Sequence, residues 1–297
     1  MAEPFLKWAG GKRQLINEIE WYLPKDIHKM DTYVEPFIGA GALMFHVLDN
    51  YNFKNIHISD INSELILCYE QLKLSADKVV KELQMIITNY SDSENKEDYF
   101  YDIRKEWNAN IGLKDSTLSS KFKRVAQIIF LNKTCFNGLF RVNSKGEFNV
   151  PYGKYKNPSF PTEQSLIEVH KALQKVTIHN SSYEESINWI KDKTFIYFDP
   201  PYRPISKTSS FVSYSKGDFN DENQKELAAF IERIDKLKVK FLLSNSDPKN
   251  TNKNDNFFDD LYNKFRIERI NASRAINSDP KKRGKISELL IRNYSKL

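Results

Sequence analysis

The tetrapeptide Asp199-Pro200-Pro201-Tyr202 directly follows the apolar run Phe195-Ile196-Tyr197-Phe198. That run has the composition of a buried strand. Two prolines end it, since neither offers an N–H to a sheet ladder and each fixes φ. A carboxylate, two rigid carbonyls and an aromatic ring thus stand together at the C-terminal edge of a sheet, where open α/β sheets hold their ligands. The set suits a flat ring bearing an amino group, such as adenine: the ring stacks on Tyr202 while Asp199 and a proline carbonyl accept the amino protons. The same four residues also fit a plain strand-ending turn, so their weight depends on the rest of the chain.

A second segment, Glu35-Pro36-Phe37-Ile38-Gly39-Ala40-Gly41, lies between an expected strand and an expected helix. Its glycines permit close approach of backbone to a ligand, and the helix N-terminus favours a polar or negative group. Asp60 ends the next expected strand about 20 residues on, the place from which a carboxylate reaches a ribose hydroxyl. No third glycine follows, Met44 and Phe45 standing where the GxGxxG pattern needs one. A compact adenosine-type ligand without pyrophosphate fits better than a dinucleotide. A third segment, Phe5-Leu6-Lys7-Trp8-Ala9-Gly10-Gly11-Lys12, resembles a phosphate loop only superficially. The Walker spacing is missing and Arg13 replaces the required Ser or Thr. A lysine at a helix N-terminus suits a carboxylate, such as the one on the methionine end of S-adenosylmethionine.

The elements that must carry these residues form an α/β pattern. Strands are expected at 32–37, 55–60, 176–179, 194–198, 238–244, 265–274 and 286–294. Helices are expected from about Arg13, from the glycine turn to about Asp49, from Glu163, near 184–191 and at 221–236. Residues 64–132 instead carry helical periodicity, as in Ala76 to Tyr90 and Ser119 to Leu131. Gly138, Asn143, Gly146 and Asn149 then punctuate a hairpin. The expected organisation is a catalytic α/β domain of residues 1–63 and 161–297, with an inserted, mostly helical domain at 64–160 ending in that hairpin.

The bulk properties are those of a globular protein: 40% hydrophobic and 28% charged residues. Nothing approaches an apolar spanning stretch, and the first residues lack the pattern of a signal peptide, so a cytoplasmic chain away from membranes is expected. Cys68 and Cys135 are far apart without CxxC spacing, so no disulfide framework and no metal site is expected. Cys135 is read as a small packed thiol. The net charge of +6 and pI of about 9.0 are compatible with a polyanionic partner. Lys145, Lys154 and Lys156 flank the hairpin, and Lys281, Lys282, Arg283 and Lys285 cluster near the C-terminus.

Taken together in this order, the three segments resemble the Dam-type DNA adenine-N6 methyltransferases, the alpha group of the D12 class. Further matches are Leu131-Asn132-Lys133, Phe136-Asn137-Gly138-Leu139-Phe140-Arg141, Gly146-Glu147-Phe148-Asn149-Val150-Pro151-Tyr152-Gly153 and Lys285-Ile286-Ser287-Glu288-Leu289-Leu290. The resemblance covers nearly the whole chain. It implies a Rossmann-like core using S-adenosyl-L-methionine. Trp8, Lys12, Asp60 and Asp199 match its cofactor-contacting positions, with Phe37, Gly39 and Gly41 wrapping the methionine and ribose and Tyr183 against the cofactor adenine. Asp199, the Pro200 carbonyl and Tyr202 are the implied catalytic set. They act on an adenine flipped out of double-stranded DNA, because the amino nitrogen is unreachable within the duplex.

The hairpin is the implied reader. Phe136 matches a position that wedges between bases, with Asn137 in the same turn. Arg141 suits a guanine bidentately, Leu139 and Pro151 suit a thymine methyl or neighbouring base edge, and Lys7 matches a base-contacting position. The hairpin segments match the GATC-specific branch. Residues 203–219, with Phe211, Tyr214 and Phe219, are expected to order over the adenine when DNA binds. Arg274, Asn277 and the basic run at 281–285 are expected on the phosphate backbone. A monomer is expected. The alternatives are the same chemistry at another DNA site, or an N-methyltransferase acting on RNA or on a protein amide; an enzyme modifying a glutamine amide has no use for a base wedge and an arginine reader.

Overall fold

In β1 (Thr32–Pro36) and β4 (Thr194–Phe198) every residue is buried, the signature of strands covered on both faces. The computed structural model describes residues 1–8, 10–111, 117–203, 219–273 and 285–295. The two strands lie side by side and parallel at the centre of a seven-stranded sheet of order β3-β2-β1-β4-β5-β7-β6. β2 (Asn55–Asp60), β3 (Val176–Asn180) and β5 (Lys240–Ser246) extend the parallel part. β7 (Lys285–Arg292) runs antiparallel to both β5 and β6 (Arg266–Ser273). The chain builds outward from β1 through β2 to β3, then returns to the other side of β1 as β4. The β1/β4 boundary is therefore the point where strand order reverses, and crevices form at that point beyond the strand C-termini. Pro36 and Phe198 end the two strands there.

Side chains alternate across the sheet. Tyr33, Phe195, Tyr197 and Leu242 face a core shared with α1 (Ile16–Tyr22), α2 (Ala42–Asn50), α3 (Ser63–Leu74), α4 (Ala76–Asp92), α5 (Lys96–Ala109), α6 (Leu118–Thr134) and α7 (Glu163–Leu173). Val34, Ile196, Phe198 and Phe241 face a second core against α8 (Asp221–Lys236) and α9 (Phe257–Leu261). Within the helical part α6 is the axis. Val125, Ile129, Phe130 and Leu131 are buried along it, and it packs on α3, α4 and α5. Arg124 ties α6 to α3 and α5, with Nε and Nη2 on the Glu64 carboxylate at 2.9 and 2.7 Å and Nη1 on the Trp107 carbonyl.

Three expectations change in form. The helix expected near 184–191 is a 3-10 helix over Tyr183–Trp189, and the one expected from Arg13 starts as a 3-10 turn over Arg13–Leu15 before α1. The hairpin at 138–149 is a paired loop without a continuous ladder. The bridges Cys135↔Tyr152 and Val142↔Phe148 stay isolated, because Asn137 and Gly138 take positive φ between them and Pro151 has no N–H to give. α9 was not expected. Residues 204–218, Arg274, Asn277 and the run 281–284 lie outside the described residues. Among the described residues no helix is long and apolar enough to cross a membrane.

Candidate active site

Asp199 leaves β4 and meets Lys12, whose ammonium lies 2.8 Å from Asp199 Oδ1, 2.7 Å from the Gly10 carbonyl and 4.4 Å from the Tyr202 ring centroid. Lys12 is only 4% exposed, and these contacts take the place of the water it has lost. Burial pushes the Asp199 carboxyl up to about 6. Lys12 opposes the rise and Glu288 adds to it, leaving Asp199 an anion at neutral pH. Tyr202 donates its hydroxyl to Glu288 Oε2 at 2.7 Å, which anchors the far end of the ring that faces Lys12. Among the described residues no donor reaches the Pro200 carbonyl. The Pro201 carbonyl is taken by Gln224 Nε2 at 3.0 Å, and Asn245 Nδ2 in turn donates to Gln224 Oε1 at 3.1 Å.

Arg203 locks the far end of the tetrapeptide. Its Nε and Nη2 meet both oxygens of Asp221 at 2.7 and 3.0 Å, Nη1 meets Asp255 at 2.8 Å, and the guanidinium lies 4.3 Å over Phe257. Sequence reasoning missed Arg203, Gln224, Asn245 and the tie from Glu288. A signal existed for Asn245: Ser244-Asn245-Ser246 interrupts an apolar strand at the same sheet edge.

Beneath Asp199 sits Glu35, only 3% exposed inside β1, with the Tyr33 hydroxyl donating to its Oε2 at 2.6 Å. Burial raises its carboxyl to about 8, against the Tyr33 hydrogen bond and with help from the Asp199 charge. The unfolded chain releases this proton near 4.5 and the folded one holds it to about 8. The stability it contributes is thus complete below the first value and is lost as pH climbs through the second, by about 1.4 kcal/mol per pH unit. Glu35→Gln is expected to raise Tm clearly at pH 8 and little at pH 5. An equal gain at both would overturn the protonated assignment.

The glycine turn carries a second set. Phe37 has φ of 94°, a left-handed value that a bulky residue rarely holds without support. Support comes from the Phe37 and Ile38 N–H groups, which both donate to the Ser59 carbonyl at 2.9 Å. Gly39 N–H donates to Asp60 Oδ2 at 3.3 Å and Asn62 N–H to Oδ1 at 2.9 Å. Burial raises the Asp60 carboxyl to about 6 while those N–H groups resist the rise. The Tyr69 hydroxyl holds the Gly39 carbonyl at 2.9 Å. Trp8 lies over Gly39 so closely that a Cβ there would stand 3.0 Å from the indole Cδ1.

Phe37 stacks on Tyr183 with centroids 5.3 Å apart, and Phe219 meets Phe37 edge-on. The Tyr183–Trp189 turn is braced by Trp189 stacked on His179 at 4.0 Å, with His57 Nδ1 3.1 Å from His179 Nε2. Ile61, beside Asp60, is 73% exposed. Together the turn offers a carboxylate, backbone N–H groups at the start of α2 and an aromatic wall. Those features fit an adenosine ligand bearing a polar tail.

A third group lies on the paired loop. Phe136 is 53% exposed, beside exposed Asn137 and Pro151, and its N–H donates to the Pro151 carbonyl at 2.8 Å. Arg141 Nε donates to Asn149 Oδ1 at 2.7 Å, which sets the guanidinium plane. Leu139 is half-buried, its carbonyl accepting from the Cys135 thiol. Burial pushes that thiol up to about 12, as suits a packed residue. Lys7 extends past Gly138, with Nζ 5.5 Å over the Tyr155 ring. Lys133, unforeseen as a site residue, is held down to about 8 by burial and by the charges of Lys7 and Arg13. The structure thus brings the expected residues into three groups: Lys12, Asp199, Pro200 and Tyr202; Trp8, Phe37, Gly39, Gly41, Asp60 and Tyr183; and Lys7, Phe136, Asn137, Leu139, Arg141 and Pro151. The first two stand at neighbouring strand ends, joined by the segment carrying Trp8 and Lys12.

Comparison with known proteins agrees across the chain. The family described as D12 class N6 adenine-specific DNA methyltransferase matches residues 8–276. The type II methyltransferase M.MjaIII of Methanocaldococcus jannaschii is 47% identical over 298 residues, covering 98% of this chain and 99% of that protein. The type II methyltransferase M1.LlaDCHI of Lactococcus lactis subsp. cremoris is 36% identical over 98% of this chain and 95% of its own length. The DNA adenine methylase of Escherichia coli K12 is 33% identical, covering 96% and 93%. By match length and identity alike, the chain belongs to the D12 class of adenine-specific DNA methyltransferases.

Proposed function

We propose that this enzyme transfers the methyl group of S-adenosyl-L-methionine to the N6 amino group of an adenine flipped out of double-stranded DNA, within GATC. The observation that carries the reading is the placement of two acceptor sets at the β1/β4 boundary. Asp199 and the Pro200 carbonyl stand on one strand end, and the Phe37–Gly41 turn with Asp60 is reached from the other. Bound there, the cofactor supplies an electrophilic methyl on a sulfonium. Asp60 offers acceptors to a ribose diol, the α2 N-terminus and Lys12 suit a carboxylate, and Trp8, Phe37 and Tyr183 supply apolar walls.

The chain's own residues do the rest by positioning. The adenine amino nitrogen is a weak nucleophile because its lone pair is delocalised into the ring. Accepting both N–H hydrogens at Asp199 and the Pro200 carbonyl localises that pair and aims it. Tyr202, braced by Glu288, stacks on the everted base. Residues 64–160 act as the target-recognition part and 1–63 with 161–297 as the catalytic part. Within the former Phe136 fills the space the base leaves, with Asn137 in contact beside it, and Leu139 and Pro151 meet base edges.

GATC is supported by the residues of the paired loop from Phe136 to Arg141 and from Glu147 to Pro151. Arg141, its Nε held by Asn149, keeps its terminal nitrogens for a guanine. Arg141→Ala is expected to weaken discrimination at one guanine by about 1–3 kcal/mol. Relative kcat/KM on duplexes altered at that base pair measures it, and an unchanged site preference would dismiss Arg141 as a reader. The reading as a whole is tested by incubating a mixed duplex pool with labelled cofactor and mapping the modified bases. Label on adenine N6 in GATC is expected. Label on cytosine, on RNA or protein only, or nowhere overturns it.

A further inference from the structure

Lys7 and Trp8 are sequence neighbours serving opposite halves of the site. Trp8 covers Gly39 in the glycine turn, while Lys7 reaches the paired loop. What holds them is Asn132, 1% exposed in the last turn of α6. Its Oδ1 accepts the Lys7 N–H at 2.8 Å, and its Nδ2 donates to the Lys7 carbonyl at 3.0 Å and to the Gly138 carbonyl at 2.9 Å. Both amide donors and the acceptor are thus committed, two of them pairing with one backbone residue as a strand partner does.

Gly138 closes the arrangement from the other side. It has φ of 65°, and a Cβ on it would stand 2.3 Å from Lys7 Cδ, so the lysine stem passes through space that only glycine leaves. Trp8 then stacks on Phe140 of the same loop, centroids 5.5 Å apart and planes 19° from parallel. The Trp8 carbonyl accepts the Gly11 N–H at 3.1 Å, one residue before Lys12 and its contact with Asp199. The base-reading loop, the cofactor turn and the catalytic carboxylate therefore share one short strap, and Asn132 fastens it to the loop.

We infer that Asn132 is a positioning residue that makes methyl transfer conditional on the bases being read. Buried as it is, it acts through Lys7 and Gly138. A base pair that fits the loop leaves the strap in register, and one that displaces the loop pulls Lys7 and Trp8 with it through these three hydrogen bonds. The inference rests on the methyl-transfer reading above. With Asn132 truncated, the loop and strap move independently, so a wrong site no longer disturbs the transfer geometry.

The test compares kcat/KM on the preferred duplex with kcat/KM on duplexes altered at one base pair, for the wild type, Asn132→Ala and Gly138→Ala. Both variants are expected to lose about 10- to 100-fold of the wild-type preference. Their affinity for S-adenosylhomocysteine without DNA, measured by calorimetry, should stay within about 3-fold of the wild type. A residue that only stabilised the fold would lower Tm and the active fraction, scaling both rates and leaving their ratio alone. An unchanged ratio in folded Asn132→Ala overturns the inference; if that variant does not fold, an unchanged ratio in Gly138→Ala does so. A wild type that methylates no adenine overturns the underlying reading as well, and shows itself before any variant is measured.

Discussion

Asp199→Ala is expected to leave less than about a hundredth of wild-type methyl transfer, since removal of one preorganised partner of a transition state costs about 10²–10³-fold. DNA binding should survive, because the residues proposed to read bases lie on the paired loop and not at this corner. The fold should suffer too. Lys12 is almost wholly buried and would lose the only carboxylate recorded against its ammonium among the described residues. Stranding one partner of a buried pair typically costs about 3–5 kcal/mol. Asp199→Asn separates the two effects, keeping the volume and an oxygen acceptor while removing the anion. Single-turnover transfer of labelled methyl, read beside a thermal melt, checks both. A wild-type rate in Asp199→Asn would end the assignment of the anion.

The same carboxyl sets a pH dependence. It holds its proton to about 6 in the folded protein and to 3.8 in the unfolded chain. The stability it contributes is therefore whole below 3.8 and is lost as pH rises through 6. The protonated acid has lost its charge and is a weaker acceptor for the amino hydrogen, so transfer should fall as pH drops through about 6. If Asp199 acts as proposed, transfer is fastest in the range where this group is least favourable to the fold.

Gly41→Ala is the second large effect. Gly41 has φ of 71°, and a Cβ there would stand 2.7 Å from the Tyr69 hydroxyl and 3.2 Å from Met44 Cε. Tyr69 is fully buried and its hydroxyl holds the Gly39 carbonyl, so it cannot swing away without releasing the turn. Left-handed strain of about 1–2 kcal/mol adds to a lost hydrogen bond of about 1 kcal/mol. A cofactor affinity lowered about 10- to 100-fold is expected. Titration with S-adenosylhomocysteine measures it, and binding within about 3-fold of the wild type would show that the turn tolerates the extra carbon.

Much of this site was legible because its signals are local. Phe195 to Tyr202 and Glu35 to Gly41 each combine an apolar run with breakers of known geometry, and both landed at strand ends. The signals that failed depend on distant partners. Nothing near Gln224 announces that it binds the carbonyl of Pro201, and nothing near Glu288 announces Tyr202. The placement of β7 between β5 and β6 is likewise a long-range pairing that periodicity does not encode. The paired loop was half legible: its turn residues were visible, but positive φ at Asn137 and Gly138 interrupted the ladder they suggested. Glu35 did carry a signal that went unused, a lone carboxylate inside a strand otherwise fit for complete burial.

The Arg203–Asp221 clamp has one consequence beyond positioning. These residues bound the stretch 204–218, and their bidentate contact brings the two stems together whatever lies between them. Closing a longer connection over stems already fastened adds only about 0.6 kcal/mol for each doubling of its length. A change of length between the two stems is therefore expected to cost the sheet little, because the Arg203–Asp221 contact fixes the corner on its own.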